Sequence, residues 1–192
     1  MRSLLKNQLA LSTVVTTLII LVVSVLLAGV VTYFAINVTS TRVEEEALHL
    51  TKQHAWYNAT ALNSSAGILV INTGGRDVVL DKITVRGQEC AWASVYYNIT
   101  TSPPTGDLQY MMNTDGTTDI DYGNTISGTS LAFASDEADT DTDIVLPSGK
   151  SIIIYIENPD SISVNDIGLT VAITIFTSQA MYYKETNVEA RN

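Results

Sequence analysis

One segment of the chain carries carboxylates close enough together to suggest metal chemistry. Residues 136–143 hold acidic side chains at nearly alternate positions, and Asp139, Asp141 and Asp143 have the most regular spacing. Such side chains could direct their oxygens onto a Ca²⁺ ion if the loop folded back on itself. The segment lacks the glycine and the terminal glutamate of an EF-hand loop. We therefore expect a solvated acidic loop, with Ca²⁺ binding at these three residues as the alternative.

Residue types that support catalysis are few and unfavourably spaced. The two histidines, His49 and His54, stand five residues apart, whereas two metal ligands on one helix face stand three or four apart. We interpret both as surface or packing histidines. Cys90 is the single cysteine, so an internal disulfide is excluded, and we interpret it as an ordinary buried thiol. The sequence has no phosphate-binding glycine loop, CxxC pair or HExxH motif, so we predict no enzyme activity and no cofactor.

Asparagines in the sequon Asn-X-Ser/Thr are a further kind of candidate site. Such sequons have meaning only on an exported chain. They occur at Asn37, Asn58, Asn63 and Asn98. Asn37 falls inside a predicted helix core, so Asn58, Asn63 and Asn98 are our candidate glycosylation sites.

The overall charge excludes one class of partner. The chain has 192 residues, 10 Lys and Arg against 20 Asp and Glu, and a formal net charge of -10. Binding to DNA or RNA through phosphates requires clustered Lys and Arg, so we predict no nucleic-acid partner. Hydrophobic residues make up 46% of the chain, which is enough to bury the core of one compact domain with an appendage.

The appendage is an apolar segment near the amino terminus. Residues 9–36 carry no charge, and a helix of this length at ~1.5 Å per residue exceeds the ~30 Å hydrocarbon core of a bilayer. Arg2 and Lys6 precede the segment, and an acidic run at 44–46 follows it. The positive-inside rule therefore predicts a cytoplasmic amino terminus with the rest of the chain outside.

An apolar stripe extends this helical pattern beyond the membrane-spanning length. Val43, Ala47, Leu50 and Tyr57 continue it, so we predict one helix to about Leu62. A helix of that length suggests a filament-forming rod, and the alternative is a transmembrane helix with an amphipathic stalk. Small residues on one ridge would allow close helix approach; they are Ser24, Ala28 and Thr32, with Gly29 beside them.

Beyond residue 62 the sequence changes to short strands between turn signals. The predicted strands are 67–72, 76–85, 90–97, 143–146, 150–156, 167–177 and 182–188. Residues 73–75 and 147–149 are predicted hairpin turns. Residues 98–143 are predicted to form an exposed acidic insertion. The predicted fold is α+β: a long hydrophobic N-terminal α-helix followed by an antiparallel immunoglobulin-like β-sandwich, without an assigned strand order.

Together these features resemble the archaeal type IV pilins and archaellins, the latter being subunits of archaeal flagellar filaments. The resemblance rests on the short basic leader, the apolar helix from Leu11, and the segments 71–85 and 146–150. It implies that a membrane prepilin peptidase removes residues 1–10 by cutting between Ala10 and Leu11, with the Gln8–Leu9 bond as second choice. Family sites usually place Gly or Ala directly after a basic residue, whereas here Lys6 is separated from Ala10.

The resemblance also implies a function. The mature chain would be the structural subunit of an extracellular filament for adhesion or motility, held in the cytoplasmic membrane as a precursor and assembled by an ATPase and its platform. Copies would polymerise through the N-terminal helix, whose expected core residues are Val15, Leu18, Val22, Leu26, Gly29 and Tyr33. Residues 11–62 would be helix and stalk, and 63–192 the outer domain. The alternative is a permanently anchored β-sandwich binding module, such as an accessory, minor pilin or stator protein.

Overall fold

The computed structural model describes residues 2–43, 45–111, 119–126, 129–135 and 143–191, which divide into two compact units. The first unit, Met1–Glu44, contains a single α-helix, α1 (Arg2–Val43). Every side chain of α1 from residue 11 to residue 41 is exposed. The predicted long apolar helix is therefore confirmed.

The prediction that the helix continues to about Leu62 is wrong. Residues 48–58 form a β-strand, β1 (Leu48–Asn58), and the second unit, Glu45–Asn192, begins well before the predicted residue 63. The stripe that suggested a helix skipped Leu48, whereas Leu48 and Leu50 are buried on either side of exposed His49, which is the alternation of a strand. Pairing with the next strand decides between the two patterns, because it begins at Leu48 and ends at Asn58.

The second unit, which we call the β-domain, is almost entirely strand. Its further strands are β2 (Asn63–Asn72), β3 (Val78–Val85), β4 (Gln88–Glu89), β5 (Val95–Thr100), β6 (Asp119–Ile126), β7 (Thr129–Ser135), β8 (Ile144–Leu146), β9 (Ser151–Glu157), β10 (Thr170–Thr177) and β11 (Met181–Arg191). Short 3-10 turns lie at Trp92–Ser94 and Val164–Asp166. Except for the pair formed by β1 and β11, neighbouring strands are antiparallel.

The strand order is that of an immunoglobulin-like sandwich. Sheet A runs β1-β2-β9-β5 and continues into β7 and β6, while sheet B runs β11-β10-β3, with β4 and β8 on the far side of β3. This corresponds to the four-strand and three-strand sheets of immunoglobulin constant domains. The last residues of β11 leave β10 and pair in parallel with β1, from Ala55 with Val188 to Asn58 with Arg191. The predicted α+β class with its sandwich is confirmed.

The main core lies between the two sheets. Sheet A contributes side chains such as Ile68 and Ile154, and sheet B contributes Leu80 and Ile173, all of them fully buried. Alternation along β10 places Val171, Ile173 and Ile175 inside, as predicted. Ile167 and Leu169 lie ahead of the strand and remain exposed, so the predicted inward face begins later than expected.

Both predicted hairpins are turns between strands that do not pair with each other. Residues 73–75 carry the chain from β2 in sheet A to β3 in sheet B, and residues 147–149 connect β8 in sheet B to β9 in sheet A. Buried Asn72 holds both crossings, since its Nδ2 donates to the carbonyls of Arg76 (2.8 Å) and Leu146 (3.1 Å). Gly74 is required there, because a Cβ would lie 2.7 Å from the Glu45 carbonyl oxygen.

Residues 98–143 are not simply an exposed insertion. Asn98 belongs to β5, which pairs with β9 inside sheet A. Leu108 and Met111 are buried on the outer face of that sheet. The segment also contains β6 and β7, which extend the sheet. The acidic composition predicted solvation but concealed the few apolar residues that anchor the segment.

Candidate functional site

The exposed surface of α1 is the first candidate site. Over Leu11–Thr41 the helix is long and apolar enough to cross a membrane. The residues predicted as a filament core lie along this stretch. Apart from Gly29, their side chains are 45% to 71% exposed. A Cβ added at Gly29 would meet nothing within 4 Å. The helix thus presents a continuous apolar surface.

Several hydroxyl groups of α1 donate to carbonyl oxygens within the helix. Thr16 donates to the Ser12 carbonyl (2.9 Å) and Ser24 donates to the Ile20 carbonyl (2.7 Å). Thr41 donates to the Asn37 carbonyl in the same way (2.8 Å). Such back-bonding lets Ser and Thr side chains enter an apolar environment without an unmet donor. The surface is therefore chemically suited to lipid or to other helices.

The remaining predicted residues of this unit also lie on α1. The bond between Ala10 and Leu11 falls within the helix, and cleavage there stays a prediction. Asn37 is likewise helical, consistent with its omission from the candidate glycosylation sites.

The candidate Ca²⁺ ligands are not brought together in the described structure. Asp139 and Asp141 lie outside the described residues, and Asp143 is exposed just before β8. Within the described ranges, no group of three His, Cys, Asp or Glu side chains could hold a metal ion. Calcium binding stays an untested alternative.

The three candidate glycosylation sites differ in their surroundings. Asn58 ends β1 and its Oδ1 accepts hydrogen bonds from the backbone of an exposed turn, Thr60 and Ala61 (2.9 Å each). Asn63 is followed by buried Ser64 and Ser65. Asn98 is partly buried within β5. The fold therefore leaves the sequon at Asn58 the most accessible of the three.

A second candidate site, which sequence analysis missed, is a covered face of sheet A. Residues 101–111, which we call the strap, lie across the outer face of this sheet. Leu108 and Met111 of the strap pack with Leu69 and Ile153 of the sheet. In addition, the Tyr155 hydroxyl donates to the Gln109 carbonyl (2.9 Å). The strap is thus held on sheet A by apolar packing and by a hydrogen bond.

Polar side chains of β1 also contact the strap. The Lys52 ammonium donates to the carbonyls of Pro104 and Gly106. His54 Nε2 lies 3.0 Å from Asp107 Oδ1 on the strap, and His54 Nδ1 lies 3.2 Å from Glu189 Oε1 on β11. Both histidine nitrogens therefore face carboxylates on separate elements.

A β-bulge places these two side chains. The register of β1 against β2 shifts between Thr51 and His54, and Lys52 has a φ of 53°. That left-handed conformation is uncommon for a residue with a Cβ, and bulges often redirect side chains. Composition and periodicity give no sign of a bulge, which explains why Lys52 and His54 were not predicted to act together.

Aromatic rings fill the space beneath the strap. His54 stacks on Trp56 with ring centroids 5.2 Å apart, and Trp56 stacks on Tyr155 at 6.3 Å. Tyr110 of the strap meets the edge of this stack. Gly67 permits the arrangement, because a Cβ there would lie 3.1 Å from Tyr155 and 3.3 Å from Trp56.

Two polar atoms under the strap have no hydrogen-bond partner within the described part of the chain. They are Trp56 Nε1 and Ser65 Oγ, and both residues are fully buried. Trp56 and Ser65 are register partners on β1 and β2. An unsatisfied buried polar group costs about 1–3 kcal/mol, so the closed strap carries a free-energy cost that its fastenings must offset.

Local interactions shift several pKa values. The hydrogen bond from His54 is the main reason that the pKa of Asp107 is lowered. Burial raises the pKa of Tyr155. Burial also raises the pKa of the Cys90 thiol to about 11, so the thiol stays protonated and unreactive at neutral pH, in line with a packing role.

Comparison with known proteins adds little to this description. No protein-family model matches the chain, and no curated protein matches it. Among solved structures, the chain is similar to the ligand binding region of Serine-glutamate repeat protein A (SgrA) of Enterococcus faecium. The identity is 13%, the match covers 78% of this chain and 99% of that one, and the TM-score is 0.31. A superposition at this score supports no functional inference.

Proposed function

We propose that this protein is the structural subunit of an extracellular, archaeal type IV pilus-like filament that polymerises through α1. The observation that carries the proposal is the surface of α1. Its apolar side chains from Leu11 to Val38 are exposed, and hydroxyl groups such as those of Thr16 and Ser24 are bonded within the helix. Such a helix can rest in lipid as a precursor and pack against identical helices after assembly.

The energetics of the two environments support polymerisation as an end state. Moving the helix from lipid into a helix bundle has little hydrophobic driving force, since lipid tails and Leu side chains are similarly apolar. Assembly therefore needs an energy source, which the family resemblance assigns to an ATPase. Once in water, separating the bundle would expose on the order of 2,000 Å² of apolar surface per subunit, roughly 50 kcal/mol before entropy is subtracted.

The β-domain supports the proposal in a different way. Its sheets bury their apolar residues internally, so the domain is able to face water on the outside of a filament. The filament would serve adhesion or motility. Open-ended growth also needs a head-to-tail contact between different surfaces of neighbouring copies.

The first experiment is to determine the amino-terminal residue of the native protein in material sheared from the cell surface. We expect a pelletable filament whose subunits begin between Leu9 and Ser12. An intact amino terminus found only in the membrane fraction would contradict the filament proposal. That result would make α1 a permanent anchor and the β-domain a binding module.

A further inference from the structure

The position of His54 points to a function of the strap that is separate from polymerisation. Its two ring nitrogens face carboxylates on different elements, Asp107 of the strap at 3.0 Å and Glu189 of β11 at 3.2 Å. Only a doubly protonated imidazolium donates from both nitrogens. The neutral ring has one donor, so one of the two carboxylates would then face a lone pair.

We propose that the strap is a pH-dependent cover for the aromatic face of sheet A, and that His54 is its latch. With His54 protonated and Asp107 ionised, the strap closes over Trp56 and Tyr155. When His54 loses its proton, one charge-assisted bond of the latch is lost and the equilibrium shifts toward the open strap.

Histidine is the side-chain type that ordinarily changes charge between about pH 5 and 8. The other charged or titratable groups that surround the latch are Lys52 of β1, Asp107 and Tyr110 of the strap, Tyr155 and Glu157 of β9, and Glu189 and Arg191 of β11. Ordinary lysine, arginine, tyrosine and carboxylate groups do not change charge in that range. Burial raises the pKa values of Tyr110 and Tyr155 further, so both stay neutral.

Two buried polar atoms beneath the strap favour its opening. Trp56 Nε1 and Ser65 Oγ are buried beneath the strap without partners in the described structure, and opening would expose them to water. Closure is therefore favoured by the latch, by the hydrogen bonds of Lys52 and Tyr155 to the strap and by apolar contacts, and it is opposed by these two polar atoms. A balance of this kind lets one proton change the position of the strap.

The lowered pKa of Asp107 fixes the acid limit of the closed state. A carboxylate with a folded-state pKa below its unfolded value contributes stability above that unfolded value and loses it as the pH falls through the folded value. The closed state should therefore lose stability in acid, as the pH falls through the lowered pKa of Asp107.

The test uses the full chain in detergent, with Trp92→Phe so that Trp56 is the only tryptophan and His49→Gln so that His54 is the only histidine. Hydrogen exchange of strap amides, corrected for intrinsic rates, and acrylamide quenching of Trp56 fluorescence are followed from pH 5.5 to 8. We expect the opening equilibrium of the strap to rise about tenfold, as loss of one charge-assisted hydrogen bond would produce. Exchange in β9 should stay unchanged.

Two variants identify the latch. His54→Phe keeps a ring on Trp56 but removes both donors, and we expect its strap to exchange at pH 5.5 and at pH 8 as that of the parent does at pH 8. Asp107→Asn is the independent check in case the phenylalanine variant does not fold, and we expect its strap at pH 5.5 to exchange as the parent does at pH 8. Equal strap exchange at both pH values in the parent, or a pH dependence that survives in either variant, would overturn the proposal.

Discussion

The two units of this chain treat their apolar residues in opposite ways. In α1 the apolar side chains from Leu11 to Val38 remain exposed. In the β-domain, five consecutive residues of β9, Ile152 to Ile156, are at most 1% exposed, because the core covers one face of sheet A and the strap region covers the other. The β-domain buries its apolar residues within its own fold, whereas the apolar residues of α1 are left exposed.

The largest expected effect comes from a charge in the middle of α1. Val23→Glu should abolish filaments, because a buried carboxylate without a partner is strongly unfavourable in a helix bundle. Electron microscopy of the sheared fraction measures the loss, and Leu27→Lys should reproduce it. Val23→Leu is the matched control and should assemble normally. Normal filaments from Val23→Glu would show that α1 does not form the core.

Shortening an apolar side chain should have a smaller effect, and here the β-domain is the sensitive unit and α1 the insensitive one. Denaturant unfolding in detergent measures the free energy of unfolding of the β-domain. Ile154→Ala, in the core between the sheets, should lower the free energy of unfolding of the β-domain by about 2–5 kcal/mol, because it leaves a cavity. Leu26→Ala removes the same kind of side chain from exposed α1 and should leave this value unchanged. Similar losses in both variants would mean that α1 contributes to the stability of the β-domain.

Gly67 and Gly29 give a finer comparison. Gly67→Ala should destabilise the β-domain by about 1–3 kcal/mol, because the new Cβ presses on the rings of Tyr155 and Trp56. Gly29→Ala meets no neighbour and should not reduce thermal stability of the β-domain. Thermal unfolding followed by near-ultraviolet circular dichroism reports both changes. An unaltered transition in Gly67→Ala would argue against close ring packing beneath the strap.

The smallest predicted effect concerns an acid-sensitive contact at the end of the sandwich. Asp166 accepts hydrogen bonds from Ser163 Oγ (2.6 Å) and Arg86 Nη1 (2.6 Å), and the bonds from Ser163 are the main reason that its pKa is lowered. The folded-state pKa lies below the unfolded value of about 3.9, so the stabilisation is present above that value and lost as the pH falls through the folded one.

Asp166→Asn should therefore lower the melting temperature at pH 6, and its difference from the parent should shrink as the pH falls below the unfolded value. The exposed neighbour Asp160 supplies the control, since Asp160→Asn should change little at either pH. A difference between the parent and Asp166→Asn that stayed constant with pH would rule out ionisation as its cause.

The sequence predicted the elements better than their contacts. Alternation along β10 and the turn residues after Asn72 were sufficient to place strands, because both are local signals. Residues 48–58 form a strand because they pair with β2 and β11. Such pairing joins distant parts of the chain, so a local sequence pattern cannot predict it. The apolar surface of α1 could be predicted from hydrophobicity alone. The latch could not, because it depends on the bulge at Lys52 and on a contact between His54 and Glu189, which lie 135 positions apart in the sequence.

The parallel pairing of β1 with β11 has a mechanical consequence. The chain enters the β-domain just before β1, and β11 ends beside the end of β1 at the opposite side of the sandwich. Tension applied between Glu45 and Arg191 would act along these strands, so the hydrogen bonds from Ala55 with Val188 to Asn58 with Arg191 would be loaded in shear and would have to break together. A domain closed in this way is built to resist pulling, and single-molecule stretching would place its rupture at that pair of strands.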